Sequence, residues 1–113
     1  MKKDMRVYLD DIIESIYAIE EYTKGMDQAD FFDANKTQDA VMRRLGIIGE
    51  ATKNISDEFK AQHSAIPWRE MAGMRDVLIH EYSGVKLGRV WSTIEKDIPK
   101  LKKQLEQVMK ILS

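Results

Sequence analysis

Arg75, Asp76, His80 and Tyr82 fall within the stretch GMRDVLIHEYSG, residues 73–84, and their types point to one kind of chemistry. An imidazole ordinarily titrates near neutrality, so His80 can take up and return a proton. A guanidinium stays charged and presents a planar fork of N–H donors that matches phosphate or carboxylate oxygens. Asp76 stands one helical turn before His80, close enough to hydrogen-bond to it and orient it. The phenol of Tyr82 ordinarily titrates near 10 and moves no proton at neutral pH. Its role is either that of an aromatic at the edge of a core or that of a hydroxyl open to modification.

These residues require a helix to hold them. Pro67 has the fixed φ suited to a helix start, and the pattern predicts a helix from about Pro67 to Tyr82, followed by a turn through Ser83-Gly84. On a helical wheel Trp68, Met74, Val77, Leu78 and Ile79 join Met71 in an apolar arc of roughly 200°, about twice what one core needs. Such a helix is expected to face its own core and a second copy of the chain across a two-fold axis. Arg75 and Tyr82 fall near the middle of that arc. A guanidinium there must be paired, with Glu50 or Glu81 as partner, or must face a ligand. Arg75 and His80 are five residues apart, about 140° around the helix. Either the helix loosens before Ser83-Gly84, or another copy completes the site.

The remaining elements are also helical. Met5, Leu9, Ile12, Ile16 and Ile19 form one stripe, ended by Gly25. Val41, Leu45, Ile48, Ile55 and Phe59 form a second, provided that Thr52 fills its gap. The connection at residues 26–36 holds Phe31 and Phe32 as caps on the core and has room for a short helical turn. Leu87, Trp91, Ile94, Ile98, Leu101, Leu105, Val108 and Leu112 form the last stripe, with Pro99 inside it. A proline removes an N–H and clashes with the preceding turn, so a kink is expected there. The expected architecture is an all-α antiparallel bundle of four to five helices in a single domain, residues 1–113, with a proline-kinked C-terminal helix.

The totals narrow the function classes. The 18 basic and 19 acidic side chains leave a net charge of −1, so any nucleic-acid contact must be local. The basic cluster in KDIPKLKKQ reads as a solvated helix face. Cysteine is absent, which excludes disulfides and thiolate zinc sites. No cofactor and no metal site is expected. His63 sits in a loop without an acid or base partner and reads as non-functional. Neither a signal peptide nor a membrane span is legible, and a soluble cytoplasmic protein is expected.

The arrangement Arg75-x4-His80-x-Tyr82, in RDVLIHEY, resembles the signature of HepT-like toxins of the HEPN superfamily. AVMRRLGIIGEATKNI resembles the second helix of that family and GVKLGRVWSTIEKDIPKL its closing helix, so the likeness covers roughly residues 5–105. Gly46, where a larger side chain is expected, is a small departure. The resemblance implies a homodimer whose two motifs meet and form a metal-independent endoribonuclease site. It also implies a minimal nucleotidyltransferase antitoxin that transfers AMP to Tyr82. In that chemistry the two copies of His80 share the acid and base roles. Arg75 stabilises the charge developing on phosphorus, and Asp76 orients His80. Glu50 supports Arg75. The other reading is a non-catalytic dimeric module that binds a nucleotide or the partner transferase.

Overall fold

The computed structural model describes residues 4–80 and 87–112, apart from the side chains of residues 76–80. In order, the helices are α1 (Met5–Thr23), α2 (Gln28–Asp33), α3 (Asn35–Lys53), α4 (Asp57–Gln62), α5 (Trp68–His80), α6 (Leu87–Ser92) and α7 (Ile98–Leu112). A π turn over Thr93–Asp97 joins α6 to α7 without a break. Among the described residues there is no strand, and the chain forms the expected all-α bundle.

Each long helix buries the stripe that its sequence carries. From α1 come Leu9, Ile12, Ile16 and Ile19, from α3 Val41, Leu45 and Ile48, and from α7 Ile98, Leu101, Leu105 and Val108. Together they form one apolar core. Thr52 does fill the gap in the second stripe: it is fully buried, and its hydroxyl donates to the Ile48 carbonyl at 2.7 Å. A buried threonine is tolerated there because that bond satisfies its only donor.

The helix ends follow from local chemistry. The Asp4 carboxylate accepts from the Arg6 N–H at the start of α1, and Gly25, at φ 78°, lets the chain turn after α1 where a side chain would be strained. A capping box between Asp27 and Asp30 opens α2. The stripe through residues 41–59 is carried by two helices rather than one. Ser56 accepts from the Phe59 N–H and so starts α4, while Ile55 and Phe59 both remain buried. The polar segment between α1 and α3 buries only one of its two phenylalanines. Phe31 is fully buried, and Phe32 is 39 % exposed.

At Pro99 the chain departs from a simple kink. The residue before it, Ile98, donates its N–H to Thr93, five residues back. This wider turn lies where a proline leaves an α-helical carbonyl without its donor, and the apolar stripe keeps its direction through it.

The helix α3 occupies the middle of the bundle, with α1 on one side and α5 on the other, and α7 packs on α1. The pairing of α1 with α7 is antiparallel. The Arg6 guanidinium donates to the Leu112 carbonyl at 2.7 Å, the Tyr17 hydroxyl to Glu106 at 2.8 Å, and Lys102 pairs with Glu20 at 3.0 Å. Lys102, from the basic cluster, is therefore spent on a helix-to-helix contact and also lies over the Tyr17 ring at 5.6 Å. No helix among the described residues is long and apolar enough to cross a membrane.

Candidate active site

Helix α5 approaches α3 at a glycine. Gly49 is buried, and a Cβ built on it would lie 2.7 Å from both the Cβ and the backbone N of Arg75 and 3.1 Å from the Ala72 carbonyl oxygen. The two backbones are in contact, and only hydrogen at position 49 permits it. This contact sets where Arg75 begins. One residue further along α3, Glu50 accepts from the guanidinium: Arg75 Nη1 lies 3.1 Å from Glu50 Oε2.

Arg75 and Glu50 side chains are 42 % and 57 % exposed, so the guanidinium is paired and also open to solvent. A pair this exposed contributes less than about 1 kcal/mol to stability. Its consequence is geometric: the carboxylate holds one edge of the fork and leaves the rest available to an anion. Of the two carboxylates that the sequence offered, Glu50 is the one that pairs with Arg75 among the described residues. The apolar arc around it is divided in this chain. Met71 and Trp68 are buried, and Met74 packs on the core from a partly exposed position.

The N-terminal half of α5 is anchored by aromatic contacts. The Trp68 indole N–H donates to the His63 carbonyl at 3.0 Å, and the Phe59 ring lies 4.5 Å from the His63 ring and 6.2 Å, edge-on, from Trp68. His63 thus takes part in the α4–α5 connection.

Asp76 and His80 lie in α5, but their side chains are outside the described residues, as is the whole of Tyr82. The backbone nevertheless constrains the site. Because α5 remains helical as far as His80, positions 75 and 80 fall on different faces, about 140° apart. Of the candidate residues, Arg75 and Glu50 are brought together. Among the described residues no group of three His, Asp or Glu side chains is placed to hold a metal ion. Gly49 is the contributor that spacing alone does not single out. The signal available for it is a glycine in the middle of a strongly helical run, which commonly marks close backbone approach.

The architecture and this contact define an all-helical bundle in which a helix-borne arginine is paired with a glutamate of the neighbouring helix and remains open to solvent. The chain belongs to the HepT-like ribonuclease family, whose pattern matches residues 12–108. It is 52 % identical over 110 residues to a Thermococcus cleftensis protein named "Probable ribonuclease HepT", covering 97 % of this chain and all of that one. It is also 52 % identical over 112 residues to a Methanocaldococcus jannaschii protein named "Gamma-glutamylcyclotransferase and putative RNase". That match covers 99 % of this chain and 50 % of the relative, so the chain spans half the length of that protein. No solved structure matches the chain.

Proposed function

We propose that this protein is the toxin of a toxin–antitoxin pair, an endoribonuclease that cleaves RNA without a metal ion at a site formed by two copies of the chain. The observation that carries the reading is Arg75. It is seated by backbone contact at Gly49, steadied by Glu50 and open to solvent, within an Arg-x4-His-x-Tyr motif in a member of a ribonuclease family. In the proposed reaction one His80 takes the 2′-hydroxyl proton and the other protonates the leaving 5′-oxygen. General acid–base help of this kind is typically worth about 10²–10⁴-fold. Arg75 donates to the non-bridging oxygens as charge builds on phosphorus, and Asp76 orients the imidazole.

Two features support a shared site. Positions 75 and 80 lie about 140° apart on a helix that continues unbroken between them, so within one chain the two positions fall on different faces. Among the described residues, α5 packs principally on α3, and the sequence of α5 carries apolar residues over roughly 200° of its circumference. A second copy at α5 accounts for both. The proposed antitoxin is a minimal nucleotidyltransferase that attaches AMP to Tyr82. The added phosphodiester would pair with Arg75 and exclude RNA.

The test is cleavage of RNA by purified protein in EDTA, with His80→Ala and Arg75→Ala checked for intact helicity. Activity is expected to survive chelation and to be lost in both variants. Activity abolished by EDTA, or unchanged in His80→Ala, refutes the mechanism. Mixing wild-type and His80→Ala chains is expected to depress activity below simple dilution.

A further inference from the structure

Helices α1 and α7 lie side by side and antiparallel, and the face that they turn outward carries opposite charges in two rows. On α1, Asp10, Glu14 and Glu21 are exposed and fall within about 40° of one another. On α7, Lys100, Lys103 and Lys110 are exposed and fall within about 80° of one another. Both rows continue outward from one seam, where the Tyr17 hydroxyl donates to Glu106 and Lys102 pairs with Glu20. The three acids lie within about 60° of Tyr17 around α1, and Lys103 and Lys110 lie within about 60° of Glu106 around α7. The seam residues are spent on each other, but the rows are not. Among the described residues, Asp10, Glu14, Glu21, Lys100 and Lys103 make no ion pair within the chain. The acid row is bounded by Arg6, which the Leu112 carbonyl holds, and by Lys24, which caps α1.

The seam also sets the register of the rows. Tyr17 is level with Glu106 and Glu20 with Lys102, so Glu21 falls between the levels of Lys100 and Lys103, and Lys110 falls between those of Asp10 and Glu14. A two-fold axis lying in this face and parallel to the helices sets α1 of each copy on α7 of the other and keeps every level. Glu21 of one copy then meets Lys100 and Lys103 of the other, and Asp10 and Glu14 flank Lys110, each contact occurring twice. An axis across the helices would lay the acid row on the acid row, which like-charge repulsion forbids. The charge pattern thus selects one orientation. Tyr17, 44 % exposed, stands between Glu14 and Glu21 and gives the face an aromatic surface. With 19 residues, α1 is about 28 Å long, and two helices side by side are about 20 Å across. Two copies joined here would bury roughly 1,100 Å² in all, near the lower limit for a specific contact. An interface of that size without a large apolar core depends on its charges.

We infer that the α1–α7 face docks a second copy of this chain, acid row on lysine row, about a two-fold axis parallel to the helices. This goes beyond the proposed cleavage site and does not depend on it. Helix α3 stands between α1 and α5, so this face is not the α5 face and both contacts can be made at once. A chain with two separate two-fold faces builds an assembly larger than a dimer.

The test is sedimentation equilibrium of the full chain at micromolar concentration in about 0.1 M and about 1 M salt, between which the Debye length falls from about 10 Å to about 3 Å. The wild-type mass is expected to fall at least about two-fold at the higher salt. Glu21→Lys, and separately Lys100→Glu combined with Lys103→Glu, set like charges against each other across the two-fold axis. Each is expected to weaken association at low salt by about 100-fold or more, with helicity unchanged. An equimolar mixture of these two variants brings opposite charges together again at both ends of the contact and is expected to regain the wild-type mass. A wild-type mass independent of salt, variants that keep the wild-type mass, or a mixture that stays dissociated overturns the inference. So does a lysine variant of unchanged mass that binds single-stranded RNA more weakly, which assigns the row to the RNA backbone. The mass that survives the higher salt, two chains or one, reads the α5 pairing separately, so failure of that pairing is distinguishable from failure of this one.

Discussion

Replacing Gly49 with alanine tests the contact that seats the candidate site. The new Cβ would meet the Arg75 Cβ and N at 2.7 Å, about 1 Å short of an ordinary carbon contact of about 3.5–4.0 Å. The obstacle is backbone and Cβ rather than the tip of a flexible chain, so α5 itself must move away from α3. Overpacking of this kind typically costs about 1–3 kcal/mol. Alanine also favours a helix over glycine by about 1 kcal/mol, which offsets part of the loss. Gly46, one turn earlier on the same helix, separates the two effects, because a Cβ there meets nothing within 4 Å. Gly46→Ala is therefore expected to raise stability by about 1 kcal/mol. Gly49→Ala is expected to melt lower than Gly46→Ala by the overpacking cost alone, about 4–12 °C at roughly 4 °C per kcal/mol. Thermal unfolding by circular dichroism measures the difference, and single-turnover RNA cleavage adds a second reading. Moving Arg75 by about 1 Å is expected to cost on the order of 10²-fold in rate. Equal melting temperatures for the two alanine variants would show that the helices are not in backbone contact at Gly49 and would refute the argument.

Glu50→Gln removes the anion from an exposed pair, so it is expected to change stability by less than about 1 kcal/mol while lowering cleavage through a less fixed Arg75; a loss of fold instead would assign Glu50 a structural role. The Tyr17 phenol is held above its ordinary value of 10.0, first by donating a hydrogen bond to Glu106, and Lys102 is likewise raised above 10.5, first by its hydrogen bond to Glu20. Raised values mean that both contributions are complete below about pH 10 and are lost as pH climbs through the folded values. Thermal melts from about pH 8 to 11 are expected to fall more steeply for wild type than for Tyr17→Phe, and identical slopes would count against the α1–α7 link. Tyr82→Phe is expected to remain an active toxin and to escape the antitoxin; intact mass after coexpression with a nucleotidyltransferase checks it, since AMP-sized increments on this variant would show that Tyr82 is not the modified residue.

Periodicity makes the long helices legible, because a stripe every three to four residues has one low-energy solution when a core is present. It even carries through Pro99, where the π turn keeps Ile98, Leu101 and Leu105 inside. What periodicity cannot mark is a break that preserves the stripe. Ile55 and Phe59 are buried whether residues 41–59 form one helix or two, and the decisive residue is Ser56, whose capping bond is short-range and polar. Partners across the fold are equally hard to read. The sequence narrows the partner of Arg75 to Glu50 or Glu81, and packing at Gly49 puts Glu50 in reach. Phe31 and Phe32 look alike in sequence, and it is the tertiary core, with Trp91 5.4 Å from the Phe31 ring, that buries one and not the other.

The bond from the Arg6 guanidinium to the Leu112 carbonyl brings the first turn of α1 against the last turn of α7. Two helix ends that already touch can be tied by a short linker without disturbing the core, and the loop at 54–56 then becomes a place where the chain can open instead. A permuted chain beginning at Ser56 would place α5 near its start, so that the motif-bearing helix would leave the ribosome before the α1 and α3 scaffold against which it must lie. Its refolding rate, compared with that of the original order, would report whether the α3–α5 contact is an early event or the last one to form.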